Sequence, residues 1–185
     1  MKGRKSIRLP ALNYVGRNTY FLTACTLHRD RIFSNPRWAD LMVRSFLEAA
    51  KAEAFLLHAW CVMPDHVHVL TEGATDQSHA DRFVSHWKRA TTFEFKKAAG
   101  RELWQRLFYD RVLRNTDSRN EIAWYIWLNP VRKGMCREPW DYAWSGSMTT
   151  MNMNTTPSEP TWMPPWKQRR EDSTTTAGPN TPTPS

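Results

Sequence analysis

"AFLLHAWCVMPDHVHVLTE", residues 54–72, is the stretch of sequence that decides the fold. Its two halves are rich in apolar and β-branched residues, and they are separated by Pro64-Asp65, a pair typical of tight turns. The stretch therefore predicts two strands, residues 54–63 and 66–72. Their short separation favours a hairpin, which would make the two strands antiparallel neighbours.

The second strand of this hairpin carries two histidines among its valines. Residues two apart on a strand point to the same face, so His66 and His68 project together, whereas Val67 and Val69 project to the other face. We expect the valines to meet a layer of helices and the histidines to lie on the open face, close enough to share one ligand. Neutral imidazoles bind divalent transition metals and, less strongly, Mg²⁺. The alternative is a half-exposed pair that holds no ligand.

The sequence on either side of the hairpin predicts five further elements. They are strands at 19–27 and 107–114, a helix that begins at Asn35-Pro36, a helix over about 78–99, and a helix that runs from a capping box at Ser118 to Pro130. The order β, α, β, β, α, β, α predicts an α+β fold, a ferredoxin-like antiparallel sheet with helices on one face. The last helix, which bears a tyrosine, is left over and is expected near the open face.

The composition changes near Ser145 and divides the chain. A length of 185 residues suits one domain, which we expect to span residues 1–147. Residues 148–185 are rich in Thr, Pro and Ser and bury too little apolar surface to offset their ordering entropy, so this tail is predicted to be disordered. Trp162 and Trp166, within the tail, are expected not to dock on the domain.

Charge and cysteine content indicate the partner and the compartment. The formal net charge of +8 favours a polyanionic partner, although basic proteins can also be merely soluble. The three cysteines form no close pair, which fits a reducing, cytosolic compartment. No apolar segment follows the basic N-terminus, and no apolar run approaches membrane-spanning length. We therefore expect a soluble intracellular protein without membrane association.

The segment EIAWYIWLNP, residues 121–130, supplies groups that complement the histidines. Tyr125 and Asn129 are four residues apart and so share one face of a helix. A tyrosine hydroxyl can attack a phosphodiester and hold the strand end as a phosphotyrosine, while the amide oxygen of Asn129 can complete a metal site with the imidazoles. The alternatives are a core role for Tyr125 and a capping role for Asn129. Tyr109, beside Asp110 on a strand, is the rival nucleophile.

Two other uses of a histidine pair do not fit this sequence. Histidine-triad nucleotide hydrolases need a third histidine at the position of Leu70, and the helical H-E-x-x-H spacing of zinc proteases does not occur. The remaining use is the His-hydrophobic-His motif of nucleases that cut single-stranded DNA with a tyrosine.

Seven short motifs occur in an order that matches a known family. They are IRLP, YFLTACT, MPDHVHVL, WKRA, YDRVLR, YIWLNPVRKGM and DYAWS, and they extend from about Arg8 to Ser145. In this order they resemble the single-tyrosine HUH transposases, and most closely the branch of REP-associated tyrosine transposases. The combination of MPDHVHVL with YIxxNP is specific, whereas neither motif is specific alone.

The resemblance implies a mechanism and a partner. It makes Tyr125 the nucleophile, and it assigns the binding of Mg²⁺ or Mn²⁺ to His66, His68 and Asn129. The reaction would cleave and rejoin single-stranded DNA with hairpins (REP-like palindromes) through a 5′-phosphotyrosine, as a monomer or homodimer. The implied location is the bacterial cytoplasm, at the nucleoid when bound to DNA.

Several basic residues are candidates for phosphate contacts. They are Lys88, Arg89, Arg111, Arg114, Arg132 and Lys133, with Lys2, Arg4, Lys5 and Arg8 at the N-terminus. For each one, an ordinary solvated charge is the alternative. Two other functions also remain open: a protein that binds DNA hairpins without mobilising them, and a metallohydrolase that forms no covalent intermediate.

Overall fold

The computed structural model describes residues 14–114, 116–153 and 162–164, and it contains the predicted βαββαβ unit. The unit consists of β1 (Thr19–Cys25), α1 (Pro36–Ala52), β2 (Phe55–Met63), β3 (His66–Gly73), α2 (Ala80–Ala99) and β4 (Tyr109–Val112). It is followed by α3 (Arg119–Trp127), α4 (Asn129–Arg132) and the short strand β5 (Ser145–Gly146). The strand predicted at residues 107–114 is therefore shorter than expected.

The strands form one sheet in the order β4-β1-β3-β2-β5, and every neighbouring pair is antiparallel. Met63 pairs with His66 across the predicted hairpin, so Pro64 and Asp65 form its turn. The first four strands have the ferredoxin-like order, and β5 extends the sheet beside β2. The predicted α+β fold is confirmed.

One face of the sheet packs against α1 and α2. Val67 and Val69 of β3 are buried in this layer, as the alternation along the strand predicted. The helix boundaries follow from local chemistry. The Asn35 side chain accepts a hydrogen bond from the Arg37 amide at the start of α1, and Gly100 ends α2 with a left-handed φ of 67°. None of the helices in the described ranges has both the length and the apolar composition needed to cross a membrane.

The other face of the sheet is covered by α3, as expected for the leftover helix. Residues 122–127 are all buried, because α3 lies between the sheet and the segments that follow it. Trp127 donates from Nε1 to the carbonyl of Gly146 in β5, at 3.1 Å. Gly146 has no room for a side chain, since a Cβ there would lie 2.4 Å from the Trp60 ring.

The end of the tyrosine helix differs from the prediction. Pro130 was expected to end it, but α3 already ends at Trp127, and Pro130 lies in the first turn of α4. Proline is accepted there because the first turn of a helix needs no amide donor from that residue.

Part of the C-terminal tail returns to the domain. The Trp162 ring packs against the rings of Phe21 and Tyr125, with centroid distances of 5.2 and 5.1 Å. The expectation that Trp162 stays undocked is therefore wrong, since Phe21 of β1 and Tyr125 of α3 together offer aromatic partners that composition alone does not reveal. Trp166 lies outside the described residues, and the domain boundary at residue 147 stays a prediction.

Candidate active site

The two histidines of β3 point at each other on the sheet face that α3 covers. Their Nε2 atoms are 3.1 Å apart, and the rings meet edge to face. His68 is buried and His66 retains 15% of its side-chain exposure. The pair is thus held at the margin of the α3 layer with one imidazole still in contact with solvent.

A neighbour on the opposite ring nitrogen orients each imidazole. Asp65 lies 2.6 Å from Nδ1 of His66, and the Thr23 hydroxyl of β1 lies 2.8 Å from Nδ1 of His68. Burial acts to raise the pKa of Asp65, but the hydrogen bond and charge of His66, together with Arg29, outweigh it and lower that pKa. Asp65 is therefore a carboxylate that accepts the Nδ1 proton, which directs the lone pair of Nε2 into the site.

This arrangement fits a divalent cation. If both Nδ1 atoms donate, two nitrogen lone pairs face each other at 3.1 Å and repel unless a proton or a metal ion lies between them. Two ligands at right angles around an ion, each at about 2.1 Å, would lie about 3.0 Å apart. Within the described ranges, no group of three or more His, Cys, Asp or Glu residues could hold a metal. Further donors would therefore have to be amide, water or phosphate oxygens.

Asn129 has an orientation compatible with such a role. Its Nδ2 donates to the carbonyls of Tyr125 and Ile126, at 2.8 and 3.2 Å, and the residue is buried. These bonds use the amide nitrogen within the helix, so Oδ1 is directed away from the helix carbonyls. The expected capping role and the expected metal role are therefore compatible, because they use different atoms of the same side chain.

Tyr125 lies beside the histidine pair. Its ring centroid is 6.0 Å from that of His68 and 6.1 Å from that of Phe21, and only 3% of the residue is exposed. Burial raises the pKa of Tyr125 to about 12, and the positive charge of Arg132 opposes that rise. The Arg132 guanidinium lies 5.2 Å from the ring centroid and donates to the Tyr125 carbonyl at 3.2 Å. The phenol is thus protonated at neutral pH.

Tyr109, the rival nucleophile, lies on the same side of the sheet. It pairs with Thr23 across β1 and β4, and its ring meets Phe21 at 6.3 Å. The Tyr125 ring contacts His68, one histidine of the pair, with the two ring centroids 6.0 Å apart.

The predicted phosphate-binding cations separate into two groups. Arg132 lies at the tyrosine and Lys133 is exposed next to it. Arg111 is on the site face of β4, but its guanidinium is bound by both carboxylate oxygens of Asp117, at 2.9 and 3.0 Å. Arg114 is exposed just beyond that strand.

The second group lies on the other side of the sheet. Lys88 and Arg89 belong to α2, in the helical layer opposite the histidines, so the structure does not bring them to the site. Lys88 donates to the Gln105 carbonyl at 2.9 Å. The basic residues at positions 2, 4, 5 and 8 lie outside the described residues.

The sequence reasoning missed the residues that support the site. Thr23 is 45 positions from His68, so its contact has no local signal, whereas Asp65 could have been suspected from its position beside His66. A third feature is Glu72, which shares a strand face with the histidines. It binds His58 at 2.8 Å and Arg119 at 2.7 Å. These contacts join the start of α3 to the sheet.

The fold is that of a family of DNA-processing enzymes. The chain belongs to the family described as "Transposase IS200 like", whose model matches residues 14–126. DNA transposition is therefore its class of function.

Two similar proteins have narrower descriptions than the family. The chain is similar to a curated protein, the REP-associated tyrosine transposase of Escherichia coli (strain K12). The two are 26% identical over 136 residues, which cover 71% of this chain and 78% of the relative. A solved structure of a REP-associated tyrosine transposase bound to a REP hairpin has the same fold. Its TM-score is 0.61 at 24% identity, and the match covers 77% of this chain and 82% of that one.

Proposed function

We propose that this transposase cleaves and rejoins single-stranded DNA at hairpins by metal-dependent transesterification on Tyr125. The observation that carries the proposal is the contact between Tyr125 and His68, whose Nε2 faces that of His66 at 3.1 Å. The proposed nucleophile and two imidazole nitrogens suited to a metal therefore lie on one sheet face, which supports the proposal. The relatives named above support the same class of substrate.

The covalent step exchanges one phosphorus–oxygen bond for another and involves only the DNA and the tyrosine. The phenolic oxygen of Tyr125 forms a bond to the scissile phosphorus, and the bond from that phosphorus to the 3′ oxygen breaks. The products are a 5′-phosphotyrosine and a strand with a free 3′-hydroxyl, which receives the net proton of the phenol. Attack by a 3′-hydroxyl on the phosphotyrosine reverses the step, and because bond energy is conserved, ATP is not required.

The residues around Tyr125 have separate tasks in this proposal. His66, His68 and Asn129 would hold Mg²⁺ or Mn²⁺, which supplies Lewis-acid stabilisation of the scissile phosphate when bound. Arg132, which lies against the Tyr125 ring, contributes a positive charge to the same region. Lys133, Arg111 and Arg114 are candidates to bind flanking phosphates.

The proposed substrate is single-stranded DNA with hairpins of the REP type, acted on in the bacterial cytoplasm. The solved relative is bound to a REP hairpin, and the net charge of +8 favours a polyanion. Since α3 packs on β2 and β3 of its own chain, one subunit can carry a complete site, either as a monomer or within a homodimer.

Trapping the covalent adduct tests this proposal. The protein is incubated with Mn²⁺ and a labelled DNA hairpin that has single-stranded flanks, and denaturing electrophoresis is followed by peptide mass mapping. We expect a DNA fragment attached to Tyr125, no adduct with Tyr125→Phe, and an adduct with Tyr109→Phe. A fully paired duplex should react more slowly than the hairpin.

The alternatives predict other results in the same assay. A hairpin-binding protein without turnover would shift the DNA in a native gel and form neither adduct nor product. A metallohydrolase would release product without an adduct. An adduct on Tyr109 would show that the nucleophile is misassigned.

A further inference from the structure

A second surface with features of a ligand site lies on α2, on the side of the sheet opposite the histidines. Two cavities of about 780 and 400 Å³ adjoin there and share Ser85, Arg89 and Ala90 as lining residues. The larger one extends between α2 and the segment before β4, where Arg106 and Phe108 complete its wall. We call the two cavities together the α2 groove.

An exposed aromatic ring lies within this groove. Phe93 is 68% exposed, the largest exposed fraction among the large hydrophobic residues that the structure describes. Single exposed apolar side chains are common and need no explanation. Phe93 differs because it lines a cavity together with a second phenyl ring, that of Phe108. An aromatic face beside open space is suited to stacking against another planar ring.

The charges around the groove are almost all positive. The lining residues include one carboxylate, Glu53, which is paired with His86 at 3.1 Å. The basic lining residues are Arg82, Lys88, Arg89, Lys96 and Arg106. Of these, Lys96 is partly neutralised by Glu102 at 2.5 Å, whereas Arg89 and Arg106 are exposed. The groove is therefore complementary to an anion.

The side chains along α2 form one continuous stripe. Arg82, Arg89, Phe93 and Lys96 follow one another at intervals of seven, four and three residues, which places them on the same helical face. At 1.5 Å per residue the stripe is about 21 Å long. Its length suits an extended polyanion rather than a single small anion.

We propose that the α2 groove binds unpaired nucleotides of the DNA substrate, with a base stacked on Phe93 and phosphates held by Arg89 and Arg106. This inference rests on the proposed function, because it takes DNA as the substrate. Aromatic side chains interleaved with cations are the usual means of binding single strands without sequence preference. A paired stem would offer phosphates to the cations but no base face to Phe93. Strand segments outside the cleavage site would thus be held on the far side of the sheet.

Binding measured without catalysis tests the inference. Full-length protein in EDTA is titrated into fluorescein-labelled oligothymidylate, and anisotropy is recorded at several salt concentrations. We expect Phe93→Ala to raise the Kd about tenfold, and Phe93→Trp to restore it. Arg89→Gln and Arg106→Gln should each weaken binding. Each should also reduce the slope of log K against log salt concentration by about one.

Matched variants control for unrelated effects. Lys97→Gln removes an exposed charge of α2 that does not line the groove, and Leu56→Ala removes a side chain that is 44% exposed elsewhere. Both should bind oligothymidylate within about twofold of the wild type, since neither contacts the strand. Phe93→Ala should keep the wild-type circular dichroism spectrum and melting temperature, because its ring is largely exposed.

Three results would overturn the inference. One is a Kd for Phe93→Ala equal to that of Leu56→Ala. Another is an increase in the Kd for oligothymidylate that is no larger in Arg89→Gln than in Lys97→Gln. The third is Phe93-dependent binding of labelled poly-L-glutamate with an affinity above that for DNA, which would indicate an acidic protein partner. The Tyr125 adduct on a hairpin is measured separately. Absence of the adduct alone contradicts the proposed function. Oligothymidylate binding that does not depend on Phe93 contradicts only the inference about the α2 groove.

Discussion

Replacement of Thr23 by valine tests how the orientation of His68 affects the site. The Thr23 hydroxyl lies 2.8 Å from Nδ1 of His68, and the residue is 9% exposed in the middle of β1. Valine keeps the β-branched shape that the strand requires but removes the hydrogen-bonding group. The imidazole then loses the contact that directs its Nε2 towards His66.

The expected magnitude follows from the role of the lost contact. Loss of an outer hydrogen-bond partner of a metal-binding histidine typically lowers metal affinity about 10- to 100-fold, which corresponds to about 1.4 to 2.7 kcal/mol. Loss of the same hydrogen bond should lower the free energy of unfolding by only about 1 kcal/mol. The protein should therefore remain folded while its metal dependence changes.

The assay is the Mn²⁺ dependence of adduct formation on Tyr125. In Thr23→Val, half-maximal adduct formation should require about 10 to 100 times more Mn²⁺, and the rate at saturating Mn²⁺ should approach that of the wild type. Thr23→Ser should restore the original midpoint. Thr91→Val is the control, because the Thr91 hydroxyl donates to the Trp87 carbonyl in α2, on the other side of the sheet.

An unchanged Mn²⁺ midpoint in folded Thr23→Val would refute the orienting role of this hydroxyl. A lower saturating rate with an unchanged midpoint would instead indicate that Thr23 acts in the reaction and not through the metal.

Three further predictions follow from the contacts of the site. EDTA, His66→Ala and His68→Ala should each abolish the adduct without changing the circular dichroism spectrum, and Mg²⁺ or Mn²⁺ should reverse the EDTA effect; undiminished cleavage in EDTA would exclude a metal. Glu72→Gln should lower the free energy of unfolding in urea by about 1 kcal/mol, since Glu72 is 18% exposed and binds both α3 and β2. Asp76→Asn, in a pair that is 64% and 84% exposed, should have almost no effect. Equal effects of the two variants would contradict the stabilising role of the Glu72 contacts. Stability should also fall as pH rises above the ordinary pKa values of buried groups that stay protonated in the folded state, because the unfolded chain loses those protons first. Burial raises the pKa of both Cys61 and Tyr125 to about 12. Between its ordinary pKa and this raised pKa, each group should lower the free energy of unfolding by about 1.4 kcal/mol per pH unit. A flat urea midpoint from pH 8 to pH 11, about one unit past the ordinary tyrosine pKa, would contradict this.

The sequence alone determined the sheet and the two faces of its central strand. Side chains alternate strictly along a strand, so the positions of Val67 and Val69 imply that His66 and His68 face the other way. The short Pro64-Asp65 separation favoured a hairpin of β2 and β3, and the pairing of Met63 with His66 confirms it. Local rules of this kind act over a few residues, which is why they can be read without the fold.

The proposed nucleophile and the proposed metal ligand were also visible in the sequence, because a four-residue separation places Tyr125 and Asn129 on one helical face. The same local reasoning was less accurate at Pro130, where two helices meet. It cannot detect that one helix ends at Trp127 and the next starts at Asn129.

Only the tertiary structure decided which distant residues act together. Thr23 reaches His68 because β1 pairs with β3, and Trp162 reaches Tyr125 because the chain returns to the edge of α3. Lys88 and Arg89 fall on the far side of the sheet because α2 buries its opposite face there. These contacts depend on strand register and layer packing, which combine residues far apart in the chain, so no local periodicity encodes them.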